Sequence, residues 1–330
     1  MGYLGDLVQM NIGQILQDTV LPNTKFSGKT IVITGANIGL GFDAAKHIHR
    51  LGASRLVLAC RSTEKGERAR EDIIASSKSS SGGGVVEIWQ LDQSNFQSVL
   101  AFGDQLRTLD RLDAFIANAG IDTHEWKMFE GFESMLTVNV VSTMLIAFLA
   151  LPKLKETAKA QKQPSQLAFT GSVAHIFANS QYISGPGSIF ESLNDKAKAD
   201  MEDRYNLSKL LLLLAVRSLA ELVEPTGQAP VIITFINPGW CKTELFRTND
   251  GGFAKRTGLR LIGRTSEEGS RTLVHAITAD SSCHGRYLSE CRPKTESTFI
   301  KGEESRAVQR KFWSELVERL EMIKPGVTSI

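Results

Sequence analysis

TIVITGANIGLG, residues 30 to 41, joins a short apolar run to a glycine-spaced turn, and the rest of the chain is read outward from it. Thr30 to Thr34 is short and β-branched, which suits a strand covered on both faces. Gly35, Gly39 and Gly41 follow in a G-x-x-x-G-x-G pattern, with Asn37 and Ile38 inside it, and a helical pattern opens directly afterwards. Glycines there let the backbone turn tightly and approach a pyrophosphate, whose charge meets free N–H groups and the positive end of the helix dipole. A lone glycine pattern fits a plain tight turn as well. Its place after the first strand and before a helix makes it a dinucleotide-binding loop.

Beyond that turn, β-type runs recur at 56–60, 85–90, 114–117, 167–170 and 231–236, with a last one near 286–289. Helical patterns fill the intervals at 39–51, 64–75, 95–108, 130–150, 205–223 and 266–279, and a charged amphipathic one spans 304–323. Apolar strands separated by helices predict a doubly wound α/β fold of Rossmann type, with about seven parallel strands and helices on both faces. No composition shift marks a boundary, so residues 1–330 read as a single domain. The polar stretch at 76–84 is a loop rather than a linker.

The 330 residues are 42% hydrophobic, ample for a large core. Thirty-eight basic against thirty-six acidic residues leave a net charge of +2, which argues against nucleic-acid binding and against an anionic membrane surface. Cys60, Cys241, Cys283 and Cys291 are scattered, indicating neither a disulfide framework nor a zinc site. No metal is expected, and a reducing cytoplasm is the expected location. Residues 1–27 lack a secretory pattern, and Asp6 stands where a myristoylation signal needs Ser or Thr. Leu4, Val8, Ile12 and either Ile15 or Leu16 share one helical face, which reads as a strap packed on the domain or on a partner subunit, with a membrane-surface helix as the alternative. The long apolar helix at 205–223 contains Lys209, Arg217 and Glu221, so it reads as buried in a soluble fold rather than membrane-spanning.

The end of the second strand bears on which dinucleotide binds. A cofactor without a 2′-phosphate is usually held by an acidic residue about twenty positions past the glycines. Here the strand ends Ala59-Cys60-Arg61-Ser62, with no carboxylate before Glu64. Arg61 can pair with a phosphate and Ser62 can donate a further bond, which favours NADP(H) over NAD; Arg61 as a solvated loop residue is the plain alternative.

Tyr205 and Lys209 stand four apart, side by side on a helix, just ahead of Leu210 to Leu214. Bringing a phenol from a pKa of about 10 to about 7 takes roughly 4 kcal/mol, which an ammonium about 4 Å away supplies at an effective dielectric near 20. Tyr205 could then exchange a proton with a carbonyl oxygen as hydride arrives, or the reverse, and Lys209 could bond the nicotinamide ribose. Ser172, at the C-terminal end of the fifth strand, could orient the carbonyl.

These residues, in order with Asp92 after the third strand, Asn118-Ala119-Gly120 after the fourth, Asn139, and Pro238-Gly239 after the sixth, resemble the short-chain dehydrogenase/reductase family over about residues 28 to 290. Phe26-Ser27-Gly28-Lys29, LACRSTEKGERAREDI and TSEEGSRTLVHAIT are similar to retinol-dehydrogenase-like members and to reductases of fungal secondary metabolism. The resemblance implies that Ser172, Tyr205, Lys209 and Asn139 form the catalytic set, Asn139 holding a water that links the lysine to solvent. It implies that Asp92 bonds the adenine, where a helix N-cap with Ser94 is the alternative, and that Thr243 bonds the carboxamide. It further implies an NADPH-dependent ketone reductase for a bulky apolar substrate. A membrane-surface retinoid or lipid dehydrogenase and a non-catalytic NADP(H) sensor are the alternatives.

Two departures stand out. Ala117 replaces the first of two asparagines common before Ala-Gly, and 33 positions separate Ser172 from Tyr205. The added residues, 176–200, contain Phe177, Tyr182, Ile183, Ile189 and Phe190 and are expected to roof the substrate pocket or to close on themselves. Residues 243–264, with Gly251-Gly252 as a hinge, read as a lid over the nicotinamide, whose several cations could favour an anionic or phenolic substrate. His175 lines the pocket or is an ordinary loop histidine, and is not counted as catalytic. A monomer, or a homodimer paired through the helices at 130–150 and 205–223, is expected.

Overall fold

In the computed structural model, residues 17–77, 84–224, 230–243 and 262–330 are described, together with Gly5, residues 13–15 and Leu245. Seven strands run parallel: β1 (Thr30–Thr34), β2 (Arg55–Cys60), β3 (Val85–Gln90), β4 (Ala114–Ala117), β5 (Ser165–Thr170), β6 (Val231–Asn237) and β7 (Arg286–Ser289). An eighth, β8 (Arg292–Lys294), turns back antiparallel on β7. Across the sheet the order is β3-β2-β1-β4-β5-β6-β7-β8. The winding reverses between β1 and β4, and a crevice opens at the carboxyl ends of strands flanking such a point.

Alternation along each strand sends side chains to two cores. Val32, Val57, Phe115, Leu167 and Ile233 pack under α3 (Phe96–Arg107), α4 (Ser134–Gln161), α5 (Arg204–Leu222) and α7 (Glu303–Ile323). Ile31, Ile33, Leu56, Leu58 and Ile116 face α1 (Gly39–Arg50), α2 (Thr63–Ser76) and α6 (Ser266–Ala276) on the other side. The four cysteines are free thiols.

Several details depart from the sequence reading. A short ribbon, Met128–Phe129 with Phe132–Glu133, precedes α4, its turn made by Glu130 and Gly131 at φ 53° and 83°. The helix therefore begins at Ser134 rather than at 130, and it runs through Pro152 to Gln161 because the following residues are strong helix formers. α4 is long and apolar enough to cross a membrane, yet its apolar window is wholly buried inside the protein.

The insert is only partly a roof. Ile176 and Phe177 reach the cavity, but the stretch Ile189–Leu193 docks on the C-terminal helix. Phe190 stacks on Phe312 at 5.6 Å, Arg319 lies 4.2 Å over the Phe190 ring, and Glu315 accepts from Ser188 Oγ and from the backbone N–H groups of Ile189 and Phe190. Ile183, Ile189, Phe190 and Leu193 of the insert thus complete the core rather than the pocket. In the strap, Ile15 is 58% exposed and Gly13 is buried. Leu4, Val8, Ile12 and Leu16, most of the 76–84 loop, and 246–261 of the expected lid lie outside the described residues.

Candidate active site

The glycine loop is shaped by contacts that no side chain could share. Gly35 and Gly39 adopt left-handed backbone, at φ 64° and 60°. A Cβ on Gly41 would stand 2.6 Å from the Gly35 carbonyl oxygen and from Asn118 Nδ2, and one on Gly35 would stand 2.9 Å from Ala119 Cα. Thr34 Oγ1 accepts the N–H groups of Asn118 and Ala119 at 2.9 Å each, and Asn118 Nδ2 donates to Thr34 O at 3.0 Å, so the ends of β1 and β4 are tied together. Ile38, at the N-cap of α1, provides no side-chain cap. The first N–H groups of that helix are thereby left for an anion, and the loop fits a pyrophosphate.

At the end of β2, Ser62 caps α2 by accepting Lys65 N–H at 3.3 Å. Glu64 is engaged with Arg68 at 2.6 Å, while Arg61 is exposed and in no ion pair among the described residues. Lys65 joins Arg61 and Ser62 on the cavity wall, a second cation that sequence reasoning passed over. Asp92 accepts from the N–H and hydroxyl of Ser94, at 2.9 and 2.7 Å, in a local turn, whereas the N-cap of α3 is Asn95. The N-cap alternative for Asp92 is set aside, and its carboxylate lies on the cavity wall.

α4 widens into a π segment over Thr137–Ser142, a distortion found mostly at functional sites. There Asn139 accepts the Ile121 N–H at 2.8 Å and donates to Ile121 O at 2.9 Å and to Ser208 Oγ at 3.0 Å. Its amide is thus occupied in holding the β4 loop against α5. Of the residues singled out from sequence, Gly41 and Asn139 do not line the cavity and instead support it; Gly35, Asn37, Ile38, Gly39, Arg61, Ser62, Asp92, Asn118, Ala119, Gly120, Ser172, Tyr205, Lys209, Pro238, Gly239 and Thr243 all do. The cavity is continuous and holds about 980 Å³.

Lys209 Nζ donates to Thr170 O at the end of β5, at 3.0 Å, and stands 5.7 Å from the centre of the Tyr205 ring. Burial draws its pKa down from 10.5 to about 8, with the Asp122 charge opposing. Tyr205 moves the other way from the sequence expectation. Although part of the residue opens on the cavity, loss of hydration raises its phenol above the ordinary value, Asp122 adds to the rise and the Ser172 hydroxyl opposes it. Counting one ammonium omitted the dehydration of the phenol itself, the largest influence on it here.

Asp122 is buried, lines the same cavity and was passed over in the sequence; a carboxylate two residues past Asn118-Ala119-Gly120 was the available signal. His175 is buried as well. Its Nδ1 lies 2.7 Å from Ser172 O, a pure acceptor, so that nitrogen carries the proton, and its ring meets Tyr287 edge-on at 5.3 Å. Thr243 approaches the glycine loop: a Cβ on Gly39 would lie 3.8 Å from it.

The family described as short chain dehydrogenase matches residues 29–184. A short chain dehydrogenase/reductase of Cryptosporiopsis sp. is 44% identical over 324 residues, 96% of this chain and 98% of that protein. A short-chain dehydrogenase of Penicillium roqueforti is 36% identical over 321 residues, 95% of this chain and 83% of the relative. Among solved structures, a 3-ketoacyl-(acyl-carrier-protein) reductase from Brucella melitensis complexed with NADH superposes with TM-score 0.58 at 20% identity, covering 80% of this chain and 97% of that one. An NADPH-dependent 3-quinuclidinone reductase from Rhodotorula rubra gives 0.56 at 22% identity, covering 82% and 94%. At those identities the structural likeness is one of fold.

Proposed function

The chain belongs to the short-chain dehydrogenase/reductase family, nicotinamide-dependent oxidoreductases acting on CH–OH groups, and from that premise we propose a cytosolic, single-domain NADPH-dependent reductase that converts a bulky apolar ketone, of the aromatic or polyketide kind, to its secondary alcohol. One observation carries the reading: Ser172, Tyr205 and Lys209 face a single cavity whose far end is walled by the glycine loop, Arg61, Ser62 and Lys65. Arg61 and Lys65 would hold the 2′-phosphate, the neighbouring Glu64 being paired with Arg68 at 2.6 Å. Asp92 would take the adenine side and Thr243 the carboxamide.

The bound cofactor supplies the hydride. Ser172 orients the carbonyl oxygen, and Tyr205 donates the proton that the oxygen needs as negative charge develops on it. A phenol held above its usual pKa stays protonated at neutral pH, which is the state a reductase requires, and an alkoxide is still the stronger base. Lys209, pinned to Thr170 O, offers its remaining N–H donors to the ribose hydroxyls and to the phenolate left behind. The Asn139 clamp on Ile121 keeps the β4 loop and α5 in register while this happens.

The membrane-surface reading is disfavoured by the strap, of which Gly13, Gln14, Gln17 and Thr19 are bonded into the fold. Tyr205→Phe, assayed by NADPH oxidation with a panel of aromatic ketones, is expected to bind NADPH as the wild type does and to lose reduction. Equal turnover by the variant would reject the assignment.

A further inference from the structure

Gly13, Gln14, Gln17 and Thr19 lie ahead of the stretch that the family matches, yet they bond to Trp240, Ile262, Arg264, Glu268 and Lys294, all beyond β6. Gln14 Oε1 accepts the Trp240 N–H at 2.9 Å, and Gln14 Nε2 donates to Trp240 O at 3.1 Å and to Ile262 O at 2.8 Å. One side-chain amide thus acts as a neighbouring strand would. Residues 240–242 and 264 are themselves paired: Arg264 N donates to Trp240 O at 2.9 Å and Lys242 N to Arg264 O at 2.8 Å. The strap that delivers Gln14 is fastened independently. Buried Arg264 donates to Gly13 O and Gln17 O at 2.8 and 3.0 Å, Thr19 Oγ1 donates to Glu268 O at 2.6 Å, and Lys294 donates to Gln17 Oε1 at 2.7 Å.

We infer that Gln14 is a positioning residue for the nicotinamide half of the cofactor, holding the Pro238–Thr243 loop at the height from which it meets the glycine loop. Gly39 and Thr243 approach each other across the cavity, and the backbone between Gly239 and Thr243 is the part that Gln14 fixes. Gly239 is left-handed at φ 85°, and a Cβ there would stand 2.7 Å from Gln14 Oε1, so loop and amide are fitted to one another. Of the described residues before Phe26, Gln14 is the one that lines the cavity. The inference rests on the NADP(H) reading above.

Its test separates the two halves of the cofactor. Full-length Gln14→Ala and Gln14→Glu are titrated with NADPH, followed by nicotinamide fluorescence, and with 2′,5′-ADP, followed by calorimetry, alongside thermal melts. Loss of two or three hydrogen bonds at the loop is expected to weaken NADPH about tenfold, with 2′,5′-ADP affinity unchanged, because its site at Arg61, Ser62 and Asp92 lies at the other end. Gln14→Glu keeps the acceptor for Trp240 N–H but sets a carboxylate against two carbonyls, so its loss should be at least as large, and its matched shape keeps the test alive if the alanine variant fails to fold. Unchanged NADPH binding in both variants overturns the inference, as does equal weakening of both ligands, which would make Gln14 a general structural residue. Wild-type protein that binds neither ligand overturns the cofactor reading itself, and the inference with it.

Discussion

Lys209 should cost the fold stability in exchange for its chemistry, and Lys209→Met measures that cost. Lys209 is 5% exposed, and burial takes its pKa from 10.5 down to about 8. At about 1.4 kcal/mol per pH unit this is roughly 3 kcal/mol of penalty at neutral pH. The bond to Thr170 O would be lost in the variant, returning about 1 kcal/mol of that. A net gain of about 2 kcal/mol is therefore expected for Lys209→Met at pH 7, a rise of a few degrees in melting temperature. Between about pH 8 and 10.5 the unfolded chain holds a proton on this lysine that the native protein has released, so wild-type stability should climb with pH in that window relative to the variant, while below pH 8 the penalty is fully present. Urea unfolding of both proteins from pH 7 to 10.5 reads the difference, and NADPH oxidation reads the accompanying loss of turnover. A variant less stable than wild type at pH 7, with the two pH profiles parallel, would refute the reasoning.

Other perturbations test separate parts of the molecule. Arg61→Ala should cut kcat/KM for NADPH about 10- to 100-fold and leave NADH nearly untouched, because only the 2′-phosphate needs the cation; a smaller effect is expected for Lys65→Ala, and both should shrink in high salt. Gly41→Ala should abolish nucleotide binding or folding, since its Cβ meets two fixed atoms at 2.6 Å, and wild-type titration by NADPH would contradict that geometry. Phe190→Ala should destabilise by about 3 to 4 kcal/mol in chemical denaturation without changing KM for NADPH, because the ring stacks on Phe312 and not on the cavity. Light scattering is expected to find a monomer: α5 is buried along nearly its whole length, α7 leans on α4 through Trp313 and Phe148 at 6.1 Å, and little apolar helix face is left for a second copy.

Where burial imposed a period, the sequence was legible. β1, β2, β4, β5 and β6 are apolar runs because helices cover them twice, and each of β1 to β7 lies within two residues of the expected span. β8 was not readable, being three residues, Arg292–Lys294, of which two are charged and one is proline. It pairs with β7 because Glu290 and Cys291 both adopt left-handed backbone, at φ 49° and 58°, the geometry of a tight hairpin, and neither residue type advertises it. The helix expected at 130–150 differs at both ends: Glu130 and Gly131 form a left-handed turn ahead of it, and α4 continues through Pro152 to Gln161.

In the site, the legible residues are those that end strands at the reversal of winding, where the fold forces them together whatever else the chain does. Ser172 follows β5, Asn118 follows β4 and Arg61 follows β2, so local order alone brings them to one crevice. Gln14 has no such address. Gln14 reaches Trp240 across 226 residues, and no spacing rule connects them. The Tyr205 proton illustrates the same limit: the four-residue spacing correctly implied a neighbouring ammonium, but whether that charge prevails depends on how much water the closed cavity removes from the phenol, and on a third charge, Asp122, that enters from the β4 loop. A variant that reopened the cavity to water is therefore expected to lower the Tyr205 pKa even with Lys209 intact.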